Sequence, residues 1–297
     1  MNHISAGIVL YNPEIERLKK NIDAISQQVD IVYCFNNGSN NLNEIQRLIS
    51  DYSNVALIDG KENLGISVAL NRMAETAETA GSKWLLSLDQ DSVCPDDMIQ
   101  EFTSYQKMEE VGIICPFFVD KRRPQRQIPT EPYSEVDDTI TSGALMNLDI
   151  YKKLGGSDEY LFIGLVDDEY CYRLRLNHYK IIQINTVLMD HELGKVTTSK
   201  HANFYRKLGK TFHSHFFEKL TYQRAVSPMR VYYSTRNMLY CRKKYKAHQN
   251  RLWSMKHIVY NAASNIIRGQ EKGKIVLAVI RGFKDARRKN VKPYVIN

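Results

Sequence analysis

An α/β fold is predicted: a mainly parallel, Rossmann-like mixed sheet with helices on both faces, followed by a helical C-terminal extension. Three observations predict it. From Ala6 to Leu188, short apolar runs of strand length alternate with segments whose apolar residues recur at helical spacing. One of these runs, Lys83-Trp84-Leu85-Leu86-Ser87-Leu88, stops abruptly in Asp89-Gln90-Asp91, and open α/β sheets bind ligands beyond such strand ends. Charge also divides the 297 residues sharply. Residues 1–199 carry 18 Lys/Arg and 30 Asp/Glu, whereas residues 200–297 carry 23 and 3. The formal net charge of +8 thus hides an acidic body of −12 and a basic extension of +20.

Taken in order, Ala6–Tyr11 reads as a first buried strand. Asn12-Pro13 then opens a helix whose Ile15, Leu18, Ile22 and Ile25 share one face. Asp30–Phe35 is a second strand, ending in the turn cluster Asn36-Asn37-Gly38-Ser39-Asn40. A helix with Ile45, Leu48 and Ile49 precedes a third strand, Val55–Ile58. Glu62-Asn63-Leu64-Gly65 then leads into a helix bearing Ala69, Leu70, Met73 and Ala77. After the central strand come a helix with Met98, Phe102 and Tyr105 and a strand at Val111–Cys115. Residues 119–137, rich in Pro, Arg and acids and without periodicity, read as a surface loop near the site. A strand-like Thr141–Met146 and a short helix ending at Gly155-Gly156 follow. Then come a helix opened by Asp167-Asp168-Glu169 and a strand at Ile181–Leu188. From Lys200 on, helical spacing continues without strands. The domain division is expected at 215/216, with residues 1–215 catalytic and 216–297 a basic helical region.

Composition narrows the function classes. Five cysteines, odd in number and without a CxxC pair, argue for reduced thiols and against a zinc site or disulfide scaffold. No apolar run approaches the length needed to cross a bilayer, and the N-terminal apolar stretch is too short and badly flanked for a signal peptide. The reading that follows is a cytoplasmic protein.

Two acid clusters carry the chemistry. Asp89 and Asp91 are oxygen-only ligands in a turn beyond a strand, suited to Mg²⁺ or Mn²⁺ shared with substrate phosphates. The plain structural alternative is that Asp91 or Ser92 caps the next helix. Asp167, Asp168 and Glu169 open a helix that carries Arg173 and Arg175, and acids there also simply complement the helix dipole. His191, just past a strand, is either a surface histidine or a metal ligand.

In this order, Asn63-x-Gly65, Asp89-x-Asp91, Ser142-Gly143-Ala144, Asp167-Asp168-Glu169 and His191 resemble the family 2 glycosyltransferases of the GT-A fold. Val166-Asp167-Asp168-Glu169-Tyr170-Cys171-Tyr172-Arg173 is similar to the V-D-x-E-W-C-x-R segment of their rhamnosyltransferase-like branch. Arg230-Val231-Tyr232-Tyr233-Ser234-Thr235-Arg236-Asn237 is similar to its R-x-Y-Y-x-x-R-N element. The likeness covers residues 3–245. It implies that Asp89, Asp91 and His191 hold a divalent cation on the diphosphate of a nucleotide-sugar. It implies that Tyr11, Asn36 and Asn37 receive the base, that Asn63 and Gly65 let backbone approach the nucleotide, and that Gly143 and Ala144 leave room for the sugar. Arg230, Tyr233 and Arg236 are implied on the nucleotide-sugar side. Aligning Arg173 with the family's arginine makes Asp167 the general base, with Asp168, Glu169 and Arg173 toward the acceptor. A single displacement then inverts the anomeric centre.

The basic extension, with Tyr and Trp interleaved, suits an anionic membrane surface, as it would RNA or DNA phosphates. The expected protein is an inverting, metal-dependent hexosyltransferase, peripheral at the inner face of the cell membrane. It would move L-rhamnose from dTDP-rhamnose to a lipid-linked glycan of surface polysaccharide such as O-antigen, and would be open to homo-oligomerisation. UDP-glucose, UDP-galactose and UDP-N-acetylglucosamine are the alternative donors. The competing class is a nucleic-acid-binding α/β protein with a basic helical tail, which leaves both acid clusters unexplained. An inactive nucleotide-sugar-binding relative is the third reading.

Overall fold

The computed structural model describes residues 3–120, 127–190, 196–198, 202–213, 217, 221–224, 226–248 and 252–296. Four parallel strands build the first half of its main sheet: β1 (Ile4–Leu10), β2 (Ile31–Asn36), β3 (Val55–Asp59) and β4 (Trp84–Asp89). They lie in the order β3-β2-β1-β4, connected by helices α1 (Ile15–Ser26), α2 (Leu42–Ile49) and α3 (Ile66–Thr79). These helices form because their apolar residues fall on one side. Leu18, Ile22 and Ile25 of α1, and Ile45, Leu48 and Ile49 of α2, are buried. The strands are apolar on both faces because helices cover both, and Ala6, Ile8, Leu10, Leu85 and Leu86 are fully enclosed.

After α4 (Met98–Thr103), the second half of the sheet departs from simple parallel winding. Strand β7 (Ala144–Asn147) lies antiparallel between β4 and β5 (Val111–Val119), and β8 (Lys180–Asp190) runs parallel to β5. At the outer edge, β6 (Tyr133–Glu135) pairs antiparallel with β8. That strand corrects the expectation of a plain loop over 119–137. It is three residues long with exposed ends, so it repeats no pattern, and its order comes from hydrogen bonding to β8. The short helix α5 (Leu148–Lys153) is capped by the Asn147 side chain, which accepts the Ile150 amide at 3.2 Å. Helix α6 (Val166–Leu176) leads into β8.

The chain divides into two compact units: 1–162 with 166–192 and 296–297, and 163–165 with 193–295. The division thus falls near 192/193 rather than 215/216, because α7 (Ala202–Phe212) goes with the helical unit. That unit also contains a strand pair, β9 (Val196–Thr198) with β10 (Tyr222–Arg224), antiparallel from Val196↔Arg224 to Thr198↔Tyr222. This corrects the expectation of helices alone beyond Lys200, since three-residue strands leave no periodic trace. Its other helices are α8 (Pro228–Lys244), α9 (Met255–Arg268) and α10 (Lys272–Arg288). Ser227 and Ser254 cap α8 and α9, with Pro228 at the first helical position of α8. Val231, Ala262, Ile275, Ala278 and Val279 form the core between these three helices. Lys243 folds back inside this unit. Its Nζ donates to the carbonyls of Ala286, Arg287 and Lys289 at 2.7, 3.1 and 3.2 Å, closing the end of α10.

All five cysteines are buried free thiols, as their scatter predicts. Burial pushes Cys34, Cys94 and Cys115 up to about 12, which makes them inert. Among the described residues, no helix is long and apolar enough to cross a membrane.

Candidate active site

The register of the parallel strands lines up one edge. Leu10 sits beside Asn36, Asn36 beside Asp59, and Val9 beside Asp89. The turns leaving β1, β2, β3 and β4 therefore meet at the C-terminal edge of the sheet. Because β7 is antiparallel, its beginning reaches the same edge, with Ala144 opposite Ser87.

The polar residues along this edge are hydrogen-bonded to one another. The Tyr11 amide donates to Gln90 Oε1 at 2.8 Å, so the residue between the two acids ties β4 to β1, while Tyr11 remains 51% exposed. Asn36 uses both ends of its amide: Nδ2 donates to Asp59 Oδ1 at 2.8 Å, and Oδ1 accepts the Ser39 amide at 2.9 Å. Asn37 accepts the Leu64 amide at 2.7 Å, and Asn63 accepts the Gly65 amide at 3.1 Å. These asparagines shape the walls of the edge. The exposed acid among them is Asp59, whose carboxyl is held below its ordinary range by the Asn36 amide and the Lys61 N–H. Sequence reasoning passed over Asp59, a lone acid after a half-buried strand.

Two glycines are required for reasons other than ligand space. Gly65 has φ +86°, and a Cβ there would lie 2.6 Å from Phe162. Gly143 has φ +88°, and a Cβ there would lie 2.9 Å from Met189 Sδ. In each case the protein's own packing and a left-handed backbone exclude a side chain. Ala144 is buried at the start of β7.

Asp89 and Asp91 are both exposed at this edge. The Asp89 amide donates to Ser142 Oγ at 3.0 Å, and Ser142 Oγ lies 2.7 Å from Ser92 Oγ. The Gly143 amide donates to the Ser87 carbonyl at 2.8 Å. The 141–143 turn is thereby fastened to the acid turn. Neither acid serves as a helix cap, because α4 begins only at Met98 and its cap residue Asp97 makes no side-chain bond. Asp91 has Arg17 at 4.0 Å, with both side chains about half exposed, and such a pair contributes little. Two exposed carboxylates are a donor set that fits a hard cation whose remaining ligands are phosphate oxygens and water. Among the described residues, no three Asp, Glu, His or Cys side chains converge as a complete metal cage. His191 lies outside the described residues.

The second acid cluster opens α6. Leu165, at φ +63°, turns the chain into the helix, and Asp167 Oδ1 accepts the Asp168 amide at 3.1 Å. Both carboxyls are half-buried. Burial pushes Asp168 up to about 7, reinforced by the charges of Asp167 and Asp138. Asp167 is also raised, chiefly by burial. The amides of Asp168, Asp167 itself and Thr141 oppose the shift, and Asp138 adds to it. The influence of the Thr141 amide is informative, because Thr141 belongs to the same 141–143 turn that is fastened to Asp89. Asp138 went unnoticed in the sequence because it follows the stretch without periodicity.

Glu169 and Arg173 face the other way. Their side chains are 0% and 4% exposed and pair at 2.9 Å, and Arg173 also donates to the carbonyls of Leu154 and Gly156 at 2.5 and 2.6 Å. Arg230, Tyr233 and Arg236 belong to the helical unit, spaced about one turn apart on α8. The Arg236 guanidinium lies 4.7 Å from the Tyr233 ring centroid and donates to Asn237 Oδ1 at 2.9 Å.

With a row of polar groups along the strand ends, an exposed carboxylate pair and an acid pair of raised proton affinity on one α/β sheet, the chain is a nucleotide-sugar glycosyltransferase of the GT-A fold. The fold matches a crystal structure of GalNAc-T7 with UDP, GalNAc and Mn²⁺. The TM-score is 0.54 at 14% identity, over 64% of this chain and 44% of that one. The dTDP-rhamnosyl transferase RfbF of Shigella flexneri is 26% identical over 307 residues, spanning 95% of this chain and 96% of RfbF. The pattern of the family described as "Glycosyl transferase family 2" matches residues 5–155. The chain belongs to glycosyl transferase family 2.

Proposed function

We propose that the protein is an inverting hexosyltransferase that moves L-rhamnose from dTDP-rhamnose to a lipid-linked acceptor of surface-polysaccharide synthesis. The observation that carries the activity is the pairing of an exposed Asp89/Asp91 edge with the half-buried Asp167/Asp168 pair across the 141–143 turn. The choice of sugar is supported by the likeness to RfbF along nearly the whole chain. In this reading the base stacks near Tyr11, and Asp59 offers an acceptor to a ring N–H. Asp89 and Asp91, with His191, would hold Mg²⁺ or Mn²⁺, which when bound neutralises charge on the departing diphosphate.

Asp167 takes the proton from the acceptor hydroxyl as that oxygen attacks the anomeric carbon from the face opposite the leaving group. Burial serves this step, since a carboxylate with a raised proton affinity is the stronger base. Asp168 keeps the pair's affinity high by like-charge repulsion. Glu169 and Arg173 act from the interior by fixing the helix, in place of the acceptor-side contact expected of them. A donor role for Arg230, Tyr233 and Arg236 rests on the R-x-Y-Y-x-x-R-N likeness alone. The site would work at the cytoplasmic face of the membrane, where a lipid-linked acceptor is presented.

The test is a donor panel of dTDP-rhamnose, UDP-glucose, UDP-galactose and UDP-N-acetylglucosamine, with Mn²⁺ or with EDTA. Thermal shift reads binding, and nucleoside diphosphate release reads turnover. Stabilisation by dTDP-rhamnose alone, abolished by EDTA, is expected. A preference for a UDP-sugar would replace the donor, and EDTA-indifferent binding would remove the metal. Binding of every donor without transfer or hydrolysis would overturn the enzyme reading.

A further inference from the structure

Helix α10 has two unlike faces. Ile275, Ala278, Val279, Gly282 and Ala286 recur every three or four residues and are buried. A helix that merely meets water would be polar opposite them. Instead Leu277 and Ile280 stand 56% and 57% exposed, with Val276 beside them. At about 100° per residue, exposed Lys274, Arg281, Lys284 and Arg288 all project within about 60° of Leu277. Met229 of α8, itself 52% exposed, joins Leu277 in lining an open groove of about 610 Å³ that also carries Lys274 and Arg281. Asp285 in that lining accepts the Tyr232 hydroxyl at 2.9 Å. Lys274 pairs with Glu271, but among the described residues no acid pairs with Arg281, Lys284 or Arg288.

We infer that this outward face of α10, with Met229, docks on an anionic phospholipid bilayer. Cations ringing exposed aliphatic side chains complement a surface whose phosphates overlie hydrocarbon. Leu277, Ile280 and Met229 enter the acyl boundary while the long basic side chains reach up to phosphates. Nucleic acid would use the cations and leave the aliphatic groups in water. The inference rests on the peripheral location proposed above and gives it an address. That address excludes Lys243 of the other basic run, residues 242–246, because its amino group is already bonded to three carbonyls.

Full-length protein is floated with vesicles of phosphatidylcholine alone, or with phosphatidylglycerol added. Binding only to the latter, weakening as salt rises, is expected. Leu277→Gln with Ile280→Gln should lower partitioning about tenfold, as should Arg281→Gln with Lys284→Gln and Arg288→Gln. Removing three exposed cations elsewhere in the unit, by Lys246→Gln, Lys256→Gln and Lys292→Gln, should change it less than about twofold. Equal binding to neutral vesicles, an aliphatic variant that binds like the parent, or a control variant as impaired as the face variant would each overturn the inference. So would loss of polyuridylate binding in the cation variant with vesicle binding intact, which assigns the face to RNA. Nucleotide-sugar binding is measured in parallel on every variant. Vesicle binding by a protein that binds no donor would sink the transfer reading and leave this face standing.

Discussion

Asp167 and Asp168 are neighbours with different surroundings, and this separates their variants. Both are raised chiefly by burial, but backbone amides oppose the shift at Asp167, whereas acidic neighbours reinforce it at Asp168. Asp167→Asn should lower kcat by about a hundredfold to ten-thousandfold while donor affinity persists. Asp168→Asn should lose much less, and should move the acid limb of the rate profile to lower pH by removing a like charge. In the parent that limb should lie above the ordinary carboxylate range, with activity rising as the pair gives up its proton. Stability has the opposite sign. These carboxyls hold protons more tightly folded than unfolded, so the stability they contribute is greatest below about pH 4 and falls as pH rises toward 7. Denaturant titrations across that window should show the fall, flattened in Asp168→Asn. An inactive Asp168→Asn beside an active Asp167→Asn would exchange the two roles.

Among the elements, α6 depends on an ion pair that water does not reach. Glu169 and Arg173 are enclosed, and Arg173 also holds two carbonyls of the 154–156 turn. Removing one partner leaves a buried charge, so Arg173→Met should destabilise the first unit by about 3–5 kcal/mol. Urea midpoints would measure this, and an unchanged midpoint would mean that the charge has found another partner. The β4 turn behaves differently, because its acids are exposed and their loss should spare the fold. Asp91→Asn should weaken Mn²⁺-dependent nucleoside diphosphate binding about tenfold or more without shifting the melting temperature in buffer alone. Calorimetry with and without metal checks both halves.

These two elements also show what could be read from residues alone. Acids directly after an apolar strand, or opening a helix, are visible because pattern and chemistry change at the same residue. The inward turn of Glu169 and Arg173 was not visible, since their i, i+4 spacing looks the same on a wet face as in a core. Gly65 and Gly143 were legible as necessary glycines but not in their cause, because Phe162 and Met189 lie far away in sequence. Strands β6 and β10 escaped because three residues carry too little alternation to register.

At the scale of the whole chain, the opposed charges of residues 1–199 and 200–297 amount to −12 and +20. Molecules so divided attract one another when the acidic part of one meets the basic part of another. Light scattering should therefore show net attraction at low ionic strength that fades by about 0.15 M salt, where screening shortens to about 8 Å. Attraction that survives high salt would point instead to an apolar interface and a specific oligomer.

The placement of β7 has a consequence for synthesis. Residues 144–147 fill the gap between β4 and β5, so β4 has an open side, and β5 no neighbour, until residues 144–147 have emerged from the ribosome. At the usual speed of translation, β5 then waits on the order of seconds with both edges bare. A nascent chain of this kind offers three adhesive strand edges at once. Synonymous codons that slow the ribosome while β5 has left the exit tunnel and β7 is still inside it should lengthen that wait and raise the aggregated fraction, with no amino acid changed.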